Sequence, residues 1–139
     1  MSILTAAIYQ KLASDVTLTD MLATFGDEPA VFTTDPVPGS ATLPYVVSAG
    51  EVSQSPFDTK QTRGRSLIRD VRCYAAADGS AILIEAIAER VRALLHRQAL
   101  TINGYSWMLS DCVGPIVADD DEVYGRIISV NVVTQQTEV

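Results

Sequence analysis

The chain carries one histidine and two cysteines, and their placement argues against catalysis. His96 falls on the polar side of the last turn of a helical segment and has no orienting partner in its motif. It reads as a cation at a helix end, not a general base. Cys73 and Cys112 show no CxxC spacing and have no second histidine, so a zinc site or a Cys–His nucleophile lacks its parts. Both lie in strand-like runs and read as buried free thiols, as in a reducing compartment. Glycine-rich phosphate loops, G-x-S-x-G elbows and HExxH helices do not occur in the sequence. Asp119, Asp120, Asp121 and Glu122 place four carboxylates in a row. A calcium loop needs ligands at alternate positions around a central glycine, so this run reads as a solvated acidic turn. No catalytic residue, metal or cofactor is expected.

Arg63, Arg65, Arg69 and Arg72 form the other chemical concentration. Alternation puts Arg65 and Arg69 on the strand face of Leu67, Val71 and Cys73, and Arg72 on the opposite one, which divides any phosphate patch. Arginines among apolar residues on a sheet suit a subunit interface, where carboxylate partners are available. The formal net charge of −7 opposes a nucleic-acid grip, which needs clustered Lys and Arg. An enzyme is not expected.

The elements that position these residues follow from periodicity. At 139 residues the chain is expected to form one domain, 1–139, with enough core to fold without disulfide or metal. No apolar run approaches the ~20 residues of a membrane span, and the N-terminus lacks the positive lead-in of a secretory signal. Residues 2–14 predict a helix with the stripe Ile3, Ala6, Ala7, Tyr9, Leu12 and Ala13, and 18–25 a second helix stopped by Gly26. Strands are expected at 31–33 and 44–52, separated by the turn residues 35–40. The polar stretch 53–64 predicts a long loop: either a contact loop, with Pro56, Phe57, Asp58 and Lys60 toward a neighbour or tube, or a tolerated surface insertion.

The run 65–74 alternates as a half-buried strand and leads through Asp78, a candidate N-cap, into a helix over 80–97. Leu83, Ile87, Val91 and Leu94, widened by Ile84, Ala88 and Leu95, form its core stripe, opposite Glu85, Glu89, Arg92 and His96. Asn103-Gly104 predicts a tight hairpin. A strand from Tyr105 is expected to end near Gly114-Pro115. The last strand, 124–135, carries Ile128, Val130 and Val132 on one face and Ile127 and Val133 on the other, which predicts a central strand or one covered by another surface. The expected class is α+β: a mostly antiparallel sheet with one long helix packed on it and N-terminal helices. Leu83→Asp and Val91→Asp are expected to unfold such a domain, and Arg69→Glu to spare the fold and damage assembly.

In order along the chain, several stretches resemble the tail terminator (tail completion, head-to-tail joining) proteins of long-tailed bacteriophages and gene-transfer agents. They are Ala7-Ile8-Tyr9-Gln10-Lys11-Leu12-Ala13-Ser14-Asp15, the segment 18–25, Leu43-Pro44-Tyr45-Val46-Val47, and Val71-Arg72-Cys73-Tyr74-Ala75. Ile87-Ala88-Glu89-Arg90-Val91-Arg92-Ala93-Leu94-Leu95 and, after the acidic turn, Tyr124-Gly125-Arg126-Ile127-Ile128-Ser129-Val130 complete the series. The order and spacing, over nearly the whole chain, carry the resemblance.

It implies a structural virion protein, assembled in the bacterial cytoplasm and placed at the tail–neck junction. Such a protein forms a homo-oligomeric ring, commonly a hexamer, that caps the tail tube, ends its polymerisation and joins the head–neck connector. The candidate subunit interface is then Arg63, Arg65, Arg69, Arg72, Ile127 and Val133. Asp119, Asp120, Asp121 and Glu122 are candidates for a contact loop or for the lumen, through which DNA passes without specific binding because like charges repel. Membrane contact is not implied. The alternatives are another neck or adaptor ring protein of the same particle, or a small-molecule-binding module or enzyme.

Overall fold

The structure, a computed structural model, describes residues 2–34, 37–56, 58, 64–102, 104–120 and 122–136. The elements run α1 (Ser2–Ala13), α2 (Val16–Thr19), β1 (Thr24–Phe25), β2 (Glu28–Pro29), β3 (Val31–Phe32), β4 (Tyr45–Pro56), β5 (Gly64–Ala76), α3 (Ile82–Leu95), β6 (Tyr105–Val117) and β7 (Val123–Gln136). Five strands form one sheet in the order β3-β4-β5-β7-β6, antiparallel except for the short β3–β4 pair. β7 is central, as its two apolar faces require. Ile128, Val130 and Val132 are fully buried toward the helices, and Ile127 and Val133 are half-buried on the far side. The class is the expected α+β.

One face of the sheet carries the core. α3 packs on β5, β6 and β7, and α1 on β3, β4 and the other helices. Leu4, Ile8, Leu12, Leu18, Ile84, Ile87, Val91 and Leu95 meet Val46, Leu67, Val71, Ile128, Val130 and Val132 with no exposed surface. The opposite face is covered only at the β3–β4 side. There Ala30, Phe32 and Val47 form a small second cluster, and Phe25, Phe32, Tyr45 and Tyr74 meet in succession, edge-on or tilted, with centroids 5.3–5.6 Å apart. Among the described residues the remainder, over β5, β7 and β6, has no helix on it.

Several expectations are corrected. The buried row of α1 is Leu4-Ile8-Leu12 with Ala7, while Ala6 faces solvent: the larger side chains at i, i+4 and i+8 turn the helix. The side chain of Ile3 lies outside the described residues. The second helix covers only Val16–Thr19, because Asp15 caps it at Leu18 N (2.8 Å). The chain then turns into the β1–β2 hairpin at Gly26 (φ 64°), with Phe25 edge-on to Phe32, a contact a helix would forgo. Both ends of the expected loop are strand. β4 runs to Pro56 and pairs with β5 from Arg65, so the connection shortens to 57–63. β6 likewise continues through Gly114-Pro115 to Val117, accommodating them in an irregularity between Val113 and Ile116. Gly114 has φ 105°, and a Cβ there would lie 2.7 Å from Ile127 O.

In α3 the buried stripe is Ile84, Ile87, Ala88, Val91 and Leu95; Leu83 is 42% exposed, so Leu83→Asp is not expected to unfold the chain. Ala81 is the N-cap residue and makes no side-chain cap, while Asp78 accepts from Ser80 N (3.1 Å) and fixes the preceding bend. Arg69 is 1% exposed on the helix-covered face. It therefore belongs to the interior, and Arg69→Glu is not expected to spare the fold. Ile102 and Tyr105 bridge across the predicted tight turn; Asn103 lies outside the described residues, and Gly104 has φ 82°.

Candidate assembly surface

The arginines separate when placed in the fold. Arg65, at the start of β5, is half-buried, with its guanidinium 5.9 Å from the Tyr105 ring centroid. Arg72 is half-buried on the far side of the sheet, in register with Ile127 and Val47. Arg69 sits under the helices. Arg63, Phe57, Lys60 and Asp121 lie outside the described residues. Pro56 and Asp58 are exposed, and Asp58 Oδ1 accepts from Gly64 N at 3.2 Å, holding the base of the β4–β5 connection.

The acidic turn is largely occupied by its own backbone. Asp120 Oδ1 accepts from Glu122 N and Val123 N, both at 2.8 Å, in the manner of an Asx turn. Asp119 Oδ1 accepts from Gly125 N (3.0 Å) and from Arg126 Nη1 (2.6 Å). The Arg126 side chain is only 7% exposed and also approaches Glu85 at 3.7 Å, tying the turn to the first turn of α3. Glu122 is exposed.

The inner half of the outer edge of β6 is covered by the chain leaving α3. Arg97 (φ 55°) donates its N–H to Ser110 O at 2.7 Å, and His96 Nδ1 accepts from Cys112 N at 3.0 Å. Ser110 Oγ donates to Leu95 O at 2.7 Å. His96 thus serves as an acceptor that blunts a sheet edge. Asp15 is a second junction: besides capping α2 it accepts from Arg90 Nε (2.9 Å) and Nη2 (2.7 Å), a bidentate pair joining α2 to α3. The Arg90 hydrogen bonds hold the Asp15 carboxyl below its usual range.

Chemistry is sparse across this arrangement. Among the described residues no three His, Cys, Asp or Glu side chains gather where a metal ion would sit. Cys73 and Cys112 are buried and unbridged; burial pushes their thiols up to about 12 and about 11, far from the thiolate a nucleophile requires. A shallow cleft between α1 and residues 99–101 offers one charged group, Lys11.

The sheet instead leaves apolar surface open. Ile68 (37% exposed), Leu109, Val113 (64%) and Ile116 (52%) stand on the helix-free side around the half-buried Ile127 and Val133. Sequence reasoning found Ile127 and Val133 and missed the other four. The signal was present in Met108-Leu109-Ser110-Asp111-Cys112-Val113, which is apolar at both parities. A surface of this kind fits association with other protein.

No curated protein matches the chain significantly in sequence. Among solved structures, it is similar to a chain in the structure titled "Virion of native gene transfer agent (GTA) particle", at 19% sequence identity and a TM-score of 0.77 over 95% of this chain and 94% of that one. At that identity the likeness establishes a shared fold. Residues 6–133 match the family model described as "Tail completion protein gp17". That range takes in the helices and the whole five-stranded sheet almost end to end, and on it the chain belongs to the tail completion protein gp17 family.

Proposed function

We propose that the chain assembles into a closed homo-oligomeric ring, a hexamer, that caps the tail tube of a phage-like particle, ends tube polymerisation and presents a docking surface to the head–neck connector. The observation that carries this reading is the family match over residues 6–133. The shared fold with a chain of a gene-transfer-agent virion supports it. The role is structural: the surface described above offers exposed apolar sheet and not convergent polar groups. The ring is assembled in the bacterial cytoplasm and sits at the tail–neck junction. DNA passes through it without specific binding, in keeping with the net charge of −7.

The test is polymerisation of the particle's purified tail-tube protein with and without this chain. The expected result is shorter tubes with extra density at one end, and a preformed cap that then binds connector. Tubes of unchanged length with no bound chain would overturn the reading. Binding to connector and not to tube would move the chain to a neck or adaptor ring.

A further inference from the structure

We infer that the strap of residues 95–98 is a clip on the outer edge of β6, and that protonation of His96 opens it. This holds whether or not the chain forms a ring. Ser110 O and Cys112 N are main-chain groups on the side of β6 away from β7, and an added strand would satisfy both with its own backbone. The strap does this instead. Arg97 N donates to Ser110 O at 2.7 Å, as a strand would. Cys112 N meets no carbonyl: it donates to His96 Nδ1 at 3.0 Å, so an imidazole stands in for main chain. The strap is also held against a cost. Arg97, at φ 55°, is the only non-glycine among the described residues with a positive φ, a conformation that long side chains disfavour. Ser110 Oγ on Leu95 O (2.7 Å) and the exposed Arg97–Asp111 pair (3.2 Å) are the other contacts that hold it down.

The chemistry of the clip is that of the ring nitrogen. Nδ1 accepts a hydrogen bond only while it carries no proton, and an imidazolium is a donor at both nitrogens. Histidine side chains in water take up that proton near about pH 6.5. The bond is therefore present well above that value and lost below it, where two N–H groups would face each other. The charged groups around the junction come from three elements and the strap itself. They are Arg92 of α3, whose charge reaches the Cys112 thiol, the Arg97–Asp111 pair between strap and β6, and Lys11 of α1 beside residues 99–101. The Cys112 thiol, pushed up to about 11 by burial, stays neutral throughout. Without the imidazole bond, the strained backbone at Arg97 favours release. Ser110 O and Cys112 N then open next to Val113, Ile116 and Val117, which are already 52–64% exposed. An open edge with apolar neighbours is a template for strand pairing, so acid uncovers an edge that neutral pH keeps shut.

The test is nuclear magnetic resonance on the full chain from about pH 8 to about pH 5, a span centred on the ordinary histidine value. The His96 ring nitrogens report tautomer and charge. Amide exchange, corrected for its intrinsic pH dependence, reports closure of the strap. At the upper end the ring proton should lie on Nε2, with Nδ1 bare. As the ring gains charge, protection at the Arg97 and Cys112 amides should fall together by about tenfold, what one hydrogen bond contributes. The Ala118 amide, bonded to Gly125 O at 2.9 Å just past the far end of β6, should keep its protection. His96→Gln offers an amide oxygen that accepts and takes up no proton, so its protection at Cys112 should not change across the range. Protection at Arg97 and Cys112 that holds to the bottom of the range in wild type would overturn the inference, and so would the same fall in His96→Gln. A glutamine too short to reach Cys112 N would show low protection at every pH, and the wild-type titration then decides alone.

Discussion

At the scale of single residues, the side chains that matter most here are polar groups working inside the fold. Asp15 joins two helices through a cap and a bidentate arginine pair. Its carboxyl is held below the ordinary value of 3.8, chiefly by Arg90, so the folded chain binds that proton less tightly than the unfolded chain. The stability it contributes is fully present above the ordinary value and is lost as pH falls through the depressed one. Asp15→Asn keeps the cap and removes the ion pair. Its melting temperature should lie below wild type near neutrality, with the gap closing below about pH 4. Asp15→Ala loses the cap as well, at about 1 kcal/mol more. A gap that does not narrow in acid would contradict this assignment. Arg69 gives the opposite lesson about reach from sequence. Alternation assigned it to the face of Leu67 and Val71, which is correct, but not that this face is the one the helices cover. At 1% exposure, Arg69→Glu should unfold the chain, as circular dichroism would show.

At the scale of elements, what repeats along the chain was legible and what depends on a partner element was not. β5, β7 and α3 follow from period 2 and period 3.6, and the central place of β7 followed from apolar groups at both parities. The rotation of α3 was missed, because Leu83 and Ile84 are both apolar and only packing on β5, β6 and β7 selects between them. Val91→Asp should abolish cooperative melting, since an unpaired buried carboxylate costs several kcal/mol against a stability of roughly 5–15. Leu83→Asp should fold and melt near wild type. Equal melting of the two would place the stripe wrongly. The second helix and the 53–64 loop failed for one reason: short segments are decided by long-range contacts, here Phe25 against Phe32 and Ser53–Pro56 against β5. Of the candidate surface, Ile127 and Val133 were visible in the strand pattern. Val113 and Ile116 were hidden by Gly114-Pro115, which reads as a strand end in sequence but is carried within the strand as an irregularity.

At the scale of the whole molecule, helices cover one side of the sheet, and among the described residues none covers three strands on the other. The chain belongs to the tail completion protein gp17 family. Closure into a ring is tested by solution mass at several concentrations, with and without purified tail tubes, followed by imaging of the largest species. The expected result is a single closed species of six copies with a central hole, free or at the tube end. A chain that stays monomeric at every concentration and leaves tube ends bare would contradict it.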